Sequence, residues 1–472
     1  MKLFQIKNSF VLTIFGASGD LAKLKLFPAL YSLAEQKRFP KDFYIIGYSR
    51  SPLTRKEFQN DFEKSIKKAH PKADLKIIKK LTDALYYFQG QYNHKPDFEK
   101  LRDFIKEISG KNSLTNMAYF SVPPQVFKDI IQNLGETKRS KTEDLRLIIE
   151  KPFGEDTQSA KELFHFVARY FEEENVYLLD HYLGKTGVQS ILSLRHSNRI
   201  LNTMMKGPEV SNIQITASES IGVTSRVGYF DQVGTLKDMV QSHLFQILAL
   251  IAMSIPITDK SESLKREKYN ILSALKFNES NKNITLGQYE SYKNEKEVPK
   301  NSKTETFAAL RLFIDRESWY KTPIYVRTGK KLAEKKTCVV IELKKFAFQS
   351  KDEEPNRLIF ELQPEERINI QLVNKNGLSS EYKSITTSES IACNGDDCLP
   401  EHSNLLLDVM RKNRLHFLSF QEIIASWEIT DSIIKFAKKS KTKIELYKDG
   451  SEGPKSQHKL TEMDGFKWFD LK

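Results

Sequence analysis

The sequence predicts two domains of different class, an N-terminal α/β domain with a doubly wound parallel sheet and an α+β C-terminal domain with a large, mainly antiparallel sheet. A chain of 472 residues is too long for one hydrophobic core, so at least two are expected. Up to residue 180, short continuous apolar runs alternate with helical segments, as in a parallel sheet covered on both faces. Beyond residue 200, strand-like segments follow one another, and several alternate apolar and polar residues as half-exposed strands do. We therefore predict domains at residues 1–180 and 181–472.

Five apolar runs predict the strands of the first domain. They are short and bounded by turn residues, at Phe10–Phe15, Phe43–Ile46, Met117–Ser121, Leu145–Ile149 and Asn175–Leu179. A helical stretch follows the first run towards Leu33, and we expect Pro28 to kink or restart it. An amphipathic helix begins near Thr157. Strands that alternate with helices in this way predict the doubly wound sheet.

The second domain is predicted from a succession of strands with fewer helices. The strands are Val210–Ala217, Phe307–Ile314, Ile324–Arg327, Cys338–Leu343, Arg357–Gln363 and Ile368–Val373. The helices are Met239–Met253, Asn404–Met410 and Phe420–Ala437, of which the first is apolar over most of its length. Because the strands are consecutive, we expect most of them to pair in an antiparallel sheet.

The first strand ends in a glycine-containing turn of the kind that binds phosphate. Gly16 and Gly19 precede a helix, where glycines let the backbone approach a pyrophosphate at the helix N-terminus. The pattern departs from G-x-G-x-x-G, and many tight turns between a strand and a helix share it. Arg50 follows the second strand, where a Rossmann-like domain contacts the adenosine ribose. Arginine there favours the 2′-phosphate of NADP over NAD, with Ser18 assisting; the alternative is an ordinary loop arginine.

The stretch Asp180-His-Tyr-Leu-Gly-Lys185 predicts an anion site near the domain boundary. We expect a helix from Lys185 onward, and the spacing of four places His181 and Lys185 on one helix face. Two cations there repel each other unless an anion lies between them, and Tyr182 supplies a third donor. A phosphate fits this set. The alternative is a helix that begins with polar residues on a solvated face.

His243 is a candidate general base on the apolar helix Met239–Met253. A histidine oriented by a carboxylate can remove a hydroxyl proton near neutral pH. Asp231 and Asp238 precede it in the chain, and Asp180 approaches it only if the fold brings the two together. Without further context, a core histidine that is hydrogen-bonded to backbone is the commoner case.

The net charge of +13 does not by itself decide which class of partner the protein binds. Lysines are scattered in mixed-sign runs such as Lys64–Lys80, which are typical of solvated faces and argue against the alternative of a nucleic-acid interface. A positive surface still steers anionic substrates towards the protein. We predict no membrane partner, because no apolar run reaches 18 residues and the N-terminus lacks the apolar core of a signal peptide.

The three cysteines are too few for a disulfide framework. Cys393 and Cys398 flank a turn-like Asn394–Asp397. A zinc site is not predicted there, because no histidine or second cysteine pair accompanies them. We therefore expect no metal, and a reducing cytoplasm fits the cysteine content.

Seven ordered blocks carry a resemblance to a known family. They are Gly16-Ala-Ser-Gly-Asp-Leu-Ala-Lys23, Glu150-Lys-Pro-Phe-Gly154, Asp180-His-Tyr-Leu-Gly-Lys185, Gly228-Tyr-Phe-Asp231, Asp238-Met-Val-Gln-Ser-His243-Leu, Thr304-Glu-Thr-Phe307 and Arg327-Thr-Gly-Lys330. The set closely resembles the glucose-6-phosphate dehydrogenase family, from about residue 10 to Gly450–Pro454. The resemblance implies oxidation of glucose 6-phosphate at C1 to the 6-phospho-lactone with NADP, the first step of the oxidative pentose phosphate pathway. It also implies a homodimer or homotetramer.

The resemblance also implies a role for each matching residue. His243 matches the general base, Asp180 the carboxylate that orients it, and Lys151 the lysine between substrate and cofactor, next to a Lys151–Pro152 bond of unusual or shifting isomer. The residues that match the sugar-phosphate site are His181, Tyr182, Lys185 and Lys335 for the phosphate, Glu219 and Asp238 for sugar hydroxyls, and Lys25, Lys330 and Gln363 along the pocket. The residues that match the NADP site are Gly16, Ser18, Gly19, Asp20, Leu21, Arg50, Pro123 and Lys151.

Several segments depart from the family pattern. Glu219–Val227 lacks the usual Glu-Pro-Phe-Gly run, Asn202–Lys206 lacks the expected aromatic residue and Trp-Asn, Leu24 replaces a basic residue, and Gly187 lies inside a predicted helix. These changes leave two alternatives. One is a related dehydrogenase that prefers another phosphosugar or NAD, and the other is a catalytically dead, NADPH-sensing regulator. The family's second, structural NADP site is not universal, and we predict none.

Overall fold

The computed structural model describes residues 5–110, 114–138, 144–223, 227–256, 258, 260–347, 353–375, 382–393, 395 and 398–470. The chain forms two compact units. The first comprises the chain up to Gly154 with Gln158–Lys185 and Cys393–Phe420, and the second comprises Glu155–Thr157, Thr186–Ala392 and the chain from Gln421 onward. Compared with the predicted boundary at residue 180, the first unit continues to Lys185 and gains a segment from late in the sequence.

The first unit contains the predicted doubly wound sheet. Six parallel strands lie in the order β3-β2-β1-β4-β5-β6. Their bounds are β1 Phe10–Phe15, β2 Phe43–Ser49, β3 Leu85–Gln89, β4 Thr115–Phe120, β5 Leu145–Glu150 and β6 Val176–Leu179. The order reverses beside β1, which places the turn after β1 at the position where such sheets bind ligands. Five strands and the fold class are confirmed, whereas β3 was not predicted.

Helices cover this sheet. The α-helices are Phe27–Glu35, Arg55–Ala69, Leu75–Asp83, Lys95–Ser109, Phe127–Thr137, Thr157–Ala168 and Glu401–Met410, with a π-helical turn at Ala22–Leu26 and 3₁₀ turns at Pro124–Val126, Glu173–Asn175 and His181–Gly184. Pro28 lies in the first turn of Phe27–Glu35, so it restarts the helix as expected. Helix Arg55–Ala69 begins with a capping box, in which Thr54 and Glu57 exchange backbone and side-chain hydrogen bonds. The helix Glu401–Met410 returns from late in the chain to pack its leucines into the same core.

The second unit contains a ten-stranded, mixed sheet. The order is β15-β14-β13-β12-β7-β11-β10-β9-β16, and β8 pairs with β10. Only β7–β11 and β9–β16 are parallel among the described pairs, so the prediction of a mainly antiparallel sheet is confirmed. The bounds are β7 Val210–Ser218, β8 Leu275–Lys276, β9 Ile284–Tyr289, β10 Phe307–Ile314, β11 Ile324–Gly329, β12 Lys336–Leu343, β13 Arg357–Gln363, β14 Arg367–Lys375, β15 Tyr382–Ser390 and β16 Ile444–Tyr447.

The helices of the second unit differ from the prediction in two ways, the first being that the predicted helix Asn404–Met410 belongs to the first unit. The α-helices are Thr186–Ser197, Arg199–Met204, Val227–Thr235, Phe245–Ala252, Ser261–Leu272, Phe420–Lys439 and His458–Glu462, with 3₁₀ turns at Gly207–Glu209, Asn281–Asn283, Glu290–Asn294, Glu317–Trp319 and Lys455–Gln457. The predicted helix Met239–Met253 is instead π-helical over Leu236–Leu244 before it becomes α-helical. Among the described helices of either unit, none has the length and apolarity needed to cross a membrane.

One cysteine pair departs from the expectation. Cys393 and Cys398 form a disulfide, although the sequence suggested thiols in a reducing environment. Cys338 is a buried free thiol, and burial raises its pKa to about 11.

Candidate functional site

The turn after β1 has the shape that a dinucleotide phosphate requires. Gly16 has φ +82°, and a Cβ on it would lie 2.2 Å from the backbone oxygen of Ser121. Only glycine fits this position, since any side chain would collide with backbone. The amide of Gly16 donates to Tyr48 O at 2.8 Å and the amide of Gly19 donates to Gly16 O at 2.9 Å. These bonds fix the turn against the start of the helical stretch, where a pyrophosphate is stabilised.

The end of β2 presents hydroxyl groups and one arginine beside that turn. Ser18 Oγ lies 3.2 Å from Ser49 Oγ, and Ser49 Oγ lies 2.7 Å from the hydroxyl of Tyr87. Arg50 is exposed, and its guanidinium carbon lies 5.5 Å from the ring centroid of Tyr92. Within the described chain, no carboxylate forms an ion pair with Arg50. A cation beside hydroxyl donors is the set that binds a ribose 2′-phosphate.

The remaining predicted cofactor residues lie at strand ends of the same unit. Asp20 and Leu21 begin the helical stretch after the turn, and Asp20 is exposed. Pro123 follows β4 and caps the turn Pro124–Val126. Lys151 follows β5, and the Lys151–Pro152 peptide bond is cis. Because these positions lie at the carboxyl ends of parallel strands, the residues present fit a dinucleotide.

The stretch Asp180–Lys185 does not form the predicted helix face. His181–Gly184 is a 3₁₀ turn, Lys185 has extended backbone with φ −72° and ψ 133°, and the next helix begins only at Thr186. The placement of His181 and Lys185 on one α-helical face is therefore wrong. Instead, both surround an aromatic ring: Lys185 Nζ lies 3.7 Å and the His181 ring 5.1 Å from the centroid of Tyr182. The two cation-capable side chains are thus still gathered in one place.

Asp180 caps this turn. Its Oδ1 accepts a hydrogen bond of 2.9 Å from the amide of Tyr182, and the residue is 1% exposed. The bond fixes the Asp180 carboxylate where β6 ends. Asp180 belongs to the first unit and His243 to the second, so their pairing stays a prediction.

Glu219, Asp238 and Lys330 form a charged cluster in the second unit. Lys330 Nζ lies 2.5 Å from Glu219 Oε2 and 3.5 Å from Asp238 Oδ2. The structure thus brings together three residues that the sequence assigned to the sugar site. Two carboxylates supply only acceptors, and a shared lysine offsets their repulsion. Such a set suits the hydroxyl groups of a sugar.

His243 lies in the π-helical segment Leu236–Leu244 and is 1% exposed. The amide of Phe245 bonds to Val240 O, five residues earlier, as π-helical winding requires. This winding places Asp238 and His243, which are five residues apart, on the same face of the segment. An α-helix would rotate them well apart. The prediction of a uniform helix missed this relation.

The two other predicted lysines and Gln363 stand outside these clusters. Lys25 is exposed and lies 4.0 Å from Glu401 in the first unit. Lys335 is exposed just before β12 in the second unit. Gln363 ends β13, where its Oε1 lies 3.4 Å from Thr337 Oγ1. Their roles stay predictions.

The segment Ser302–Thr306 contacts Asp231, and this contact was not predicted from the sequence. Asp231, which the sequence placed near the candidate base, instead accepts hydrogen bonds from Ser302 Oγ at 2.5 Å and Tyr292 Oη at 2.9 Å. Thr304 Oγ1 donates to Asp231 O at 2.5 Å. The block Thr304–Phe307 is one of the seven motifs of the family resemblance, and its polar residues just before a buried strand are the available signal. Its contacts could not be read from spacing.

Comparison with known proteins covers both units. Residues 13–190 match the family model of the glucose-6-phosphate dehydrogenase NAD binding domain, and residues 192–469 match that of its C-terminal domain. The glucose-6-phosphate 1-dehydrogenase of Buchnera aphidicola subsp. Schizaphis graminum is 36% identical over 97% of both chains. That of Bacillus subtilis is 33% identical over 98% of both chains. A solved glucose-6-phosphate dehydrogenase in complex with its substrate glucose-6-phosphate has a TM-score of 0.91 and 29% identity over 100% of both chains. This chain belongs to the glucose-6-phosphate dehydrogenase family.

Proposed function

We propose that the protein oxidises D-glucose 6-phosphate at C1 to 6-phospho-D-glucono-1,5-lactone, the first step of the oxidative pentose phosphate pathway, with NADP⁺. The observation that carries the proposal is full-length membership of the family together with the cluster Glu219–Lys330–Asp238. The family relatives are named for this activity, and one solved member holds glucose 6-phosphate. The cluster presents carboxylate acceptors for sugar hydroxyls within 3.5 Å of one lysine.

Each residue has a defined task in this reaction. His181, Tyr182 and Lys185 hold the phosphate, with Lys335 as a further cation and Lys25 nearby; this remote binding orients C1. Glu219 and Asp238 accept hydrogen bonds from the sugar, and Lys330 holds both carboxylates in place. His243 takes the proton of the C1 hydroxyl, and Asp180 orients its ring and stabilises the charged imidazolium. The bound NADP⁺ would supply the hydride acceptor for C1, so the residues of the chain have only to orient the sugar and remove the hydroxyl proton.

The cofactor residues are those of the first unit. The turn Gly16–Gly19 with Asp20 and Leu21 would hold the pyrophosphate, and Arg50 and Ser18 would hold the 2′-phosphate. Pro123 and Lys151 would contact the nicotinamide. In the described chain Arg50 forms no ion pair, so its charge is available to a ligand.

A panel assay tests the function directly. We expect NADP⁺ reduction with glucose 6-phosphate to exceed that with galactose 6-phosphate and other hexose phosphates, and to exceed NAD⁺ reduction. Initial rates for each pair of sugar and cofactor measure this. Strong turnover with galactose 6-phosphate and little with the glucose ester would refute the substrate. NADPH binding without turnover would instead support the alternative of a catalytically dead, NADPH-sensing regulator.

Arg50→Ala should weaken NADP⁺ selectively. A hydrogen bond to a charged group contributes about 1.5–3 kcal/mol, so the KM for NADP⁺ should rise about 10–100-fold. The KM for NAD⁺, which lacks the 2′-phosphate, should change by about 2-fold or less. Steady-state kinetics with both cofactors measure the two values. Arg169→Ala, an exposed arginine just after helix Thr157–Ala168, is the control. An equal loss for NAD⁺ contradicts the role of Arg50.

We also propose a cytoplasmic location and a homodimer or homotetramer, on the basis of the family resemblance. Light scattering on the purified protein measures the assembly, and a monomer at micromolar concentration would contradict it.

A further inference from the structure

The carboxyl group of Glu305 lies at the start of the helical segment that carries Asp238 and His243. Its Oε1 accepts a hydrogen bond of 3.1 Å from the amide of Leu236, the first residue of the segment. Its backbone oxygen accepts from both the amide and the hydroxyl of Thr235, each at 3.1 Å. The first amides of a helix have no partner within the helix, so Glu305 supplies what this terminus needs.

The chain just before the segment is shaped around the same carboxyl group. Gly234 has φ +72° and ψ 172°, which interrupts the helical backbone between Val227–Thr235 and Leu236–Leu244. A Cβ on Gly234 would lie 2.4 Å from Oε1 of Glu305. The backbone angle requires glycine at this position, and the carboxyl group of Glu305 occupies the space that a Cβ would take. The carboxyl group of Glu305 thus binds the first residue of the segment Leu236–Leu244.

Thr306, the residue after Glu305, binds the backbone of Lys330, the lysine of the sugar cluster. Thr306 O accepts a hydrogen bond of 2.9 Å from the amide of Lys330, whose carbonyl accepts one of 2.7 Å from the hydroxyl of Tyr447. Lys330 in turn contacts Asp238. Residues 305 and 306 thus fix both sides of the Asp238–Lys330 pair, one through the helix terminus and the other through backbone.

We propose that Glu305 is a positioning residue, whose carboxyl group sets the axial position of Leu236–Leu244 and thereby places Asp238 against Lys330 and aims His243. The expected change in kcat rests on the proposed function, whereas the expected effect on the position of Leu236–Leu244 does not. Burial raises the pKa of the Glu305 carboxyl, and the hydrogen bond from the amide of Leu236 opposes that rise more than the nearby charges of Lys237 and Lys438 do. Both the ionised and the neutral carboxyl group keep an acceptor oxygen for the amide of Leu236. The length of the side chain, which we call its reach, therefore determines this contact more than its charge does.

Three substitutions separate reach from charge. Glu305→Gln keeps the length and an acceptor oxygen, Glu305→Asp keeps the charge but shortens the reach, and Glu305→Ala removes the group. We expect kcat to fall about 10–100-fold in the alanine and aspartate variants, since misplacement by 1 Å can cost about 10²-fold. The glutamine variant should stay within about 3-fold of the parent. The KM for NADP⁺ should be unchanged in all three, because its proposed ligands lie in the first unit.

Hydrogen exchange on the free protein gives a readout that does not need turnover. The amides of Leu236–Leu244 should lose protection in Glu305→Ala and Glu305→Asp and keep it in Glu305→Gln. Glu317→Ala, an exposed glutamate of the same unit, is the control. Equal losses of kcat in the alanine and glutamine variants would overturn the inference. So would a lower melting temperature with unchanged kcat and unchanged exchange protection. If the parent protein itself lacks turnover, the proposed function fails, while the exchange pattern still decides the role of Glu305.

Discussion

His243→Asn is expected to lower kcat for glucose 6-phosphate oxidation by about 10²–10⁴-fold, the range that general-base catalysis contributes. Asparagine keeps a polar group at this buried position but cannot accept a proton near neutral pH. The proposed phosphate ligands are elsewhere, so the dissociation constant for glucose 6-phosphate should change little. Steady-state kinetics and equilibrium titration with the sugar phosphate measure the two effects. Unchanged turnover would refute the assignment of the base.

The same substitution at an exposed histidine gives the matched control. His196→Asn, at the end of helix Thr186–Ser197, should leave kcat unchanged. Thermal unfolding of both variants checks that the buried site has not simply unfolded, since His243 is 1% exposed. A loss of kcat that follows the loss of folded protein, with normal kcat per folded molecule, would contradict the chemical role.

A double variant tests the predicted pairing of Asp180 with His243. If the aspartate acts only by orienting the imidazole, Asp180→Asn should lower kcat in the parent but add little in His243→Asn. The measurement is kcat in the two single variants and the double variant. Additive losses on a logarithmic scale would show that Asp180 acts independently, for example by capping His181–Gly184 alone.

The sequence predicted strands with continuous apolar runs better than strands of mixed composition, such as β9, which is fully buried and was not predicted. β1, β4 and β5 are nearly fully buried, so their apolar runs are continuous and visible. β3 lies at the sheet edge with only Leu85 fully buried, and β15 is exposed along its whole length and rich in serine and threonine. β15 carries no apolar pattern of its own, so pairing with a neighbouring strand rather than local composition makes it a strand. β3 does carry an aromatic run, Leu85-Tyr-Tyr-Phe88, which is typical of a strand and was overlooked in the prediction.

The parts of the site that could be predicted are the local ones. The turn Gly16–Gly19 follows a strand directly, so its function is visible in the sequence. The contact of Glu219 with Lys330 is different, because it arises where the parallel neighbours β7 and β11 end in register, Ser218 opposite Gly329. Residues 111 positions apart meet only through that pairing. The family resemblance predicted their shared role, and the register of β7 and β11 explains why the two side chains meet.

Helical periodicity failed at two functional segments whose backbone is not α-helical. The spacing of His181 and Lys185 assumes 3.6 residues per turn, but a 3₁₀ turn and an extended residue lie there. In Leu236–Leu244 the winding is wider than in an α-helix. Both deviations fall on residues proposed to bind substrate or transfer a proton. Such exceptions to regular geometry are concentrated at functional sites.

Lys185→Ala should raise the KM for glucose 6-phosphate about 10–100-fold, because it removes a charge-assisted hydrogen bond to the phosphate. The kcat should fall less than the KM rises, since the phosphate does not react. Activity with free glucose, which has no phosphate, should be unchanged. The variant should therefore discriminate less between the two sugars than the parent does. Initial rates over a range of each sugar measure this ratio.

The comparison with free glucose separates phosphate binding from a structural role of Lys185. The lysine also lies over the Tyr182 ring, so its loss could loosen the turn His181–Gly184. A loosened turn would lower activity with both sugars in proportion, whereas a lost phosphate contact affects only the phosphorylated one. Lys106→Ala, an exposed lysine on helix Lys95–Ser109, controls for the general loss of positive charge. An unchanged KM with a collapsed kcat would show that Lys185 acts in the chemical step instead.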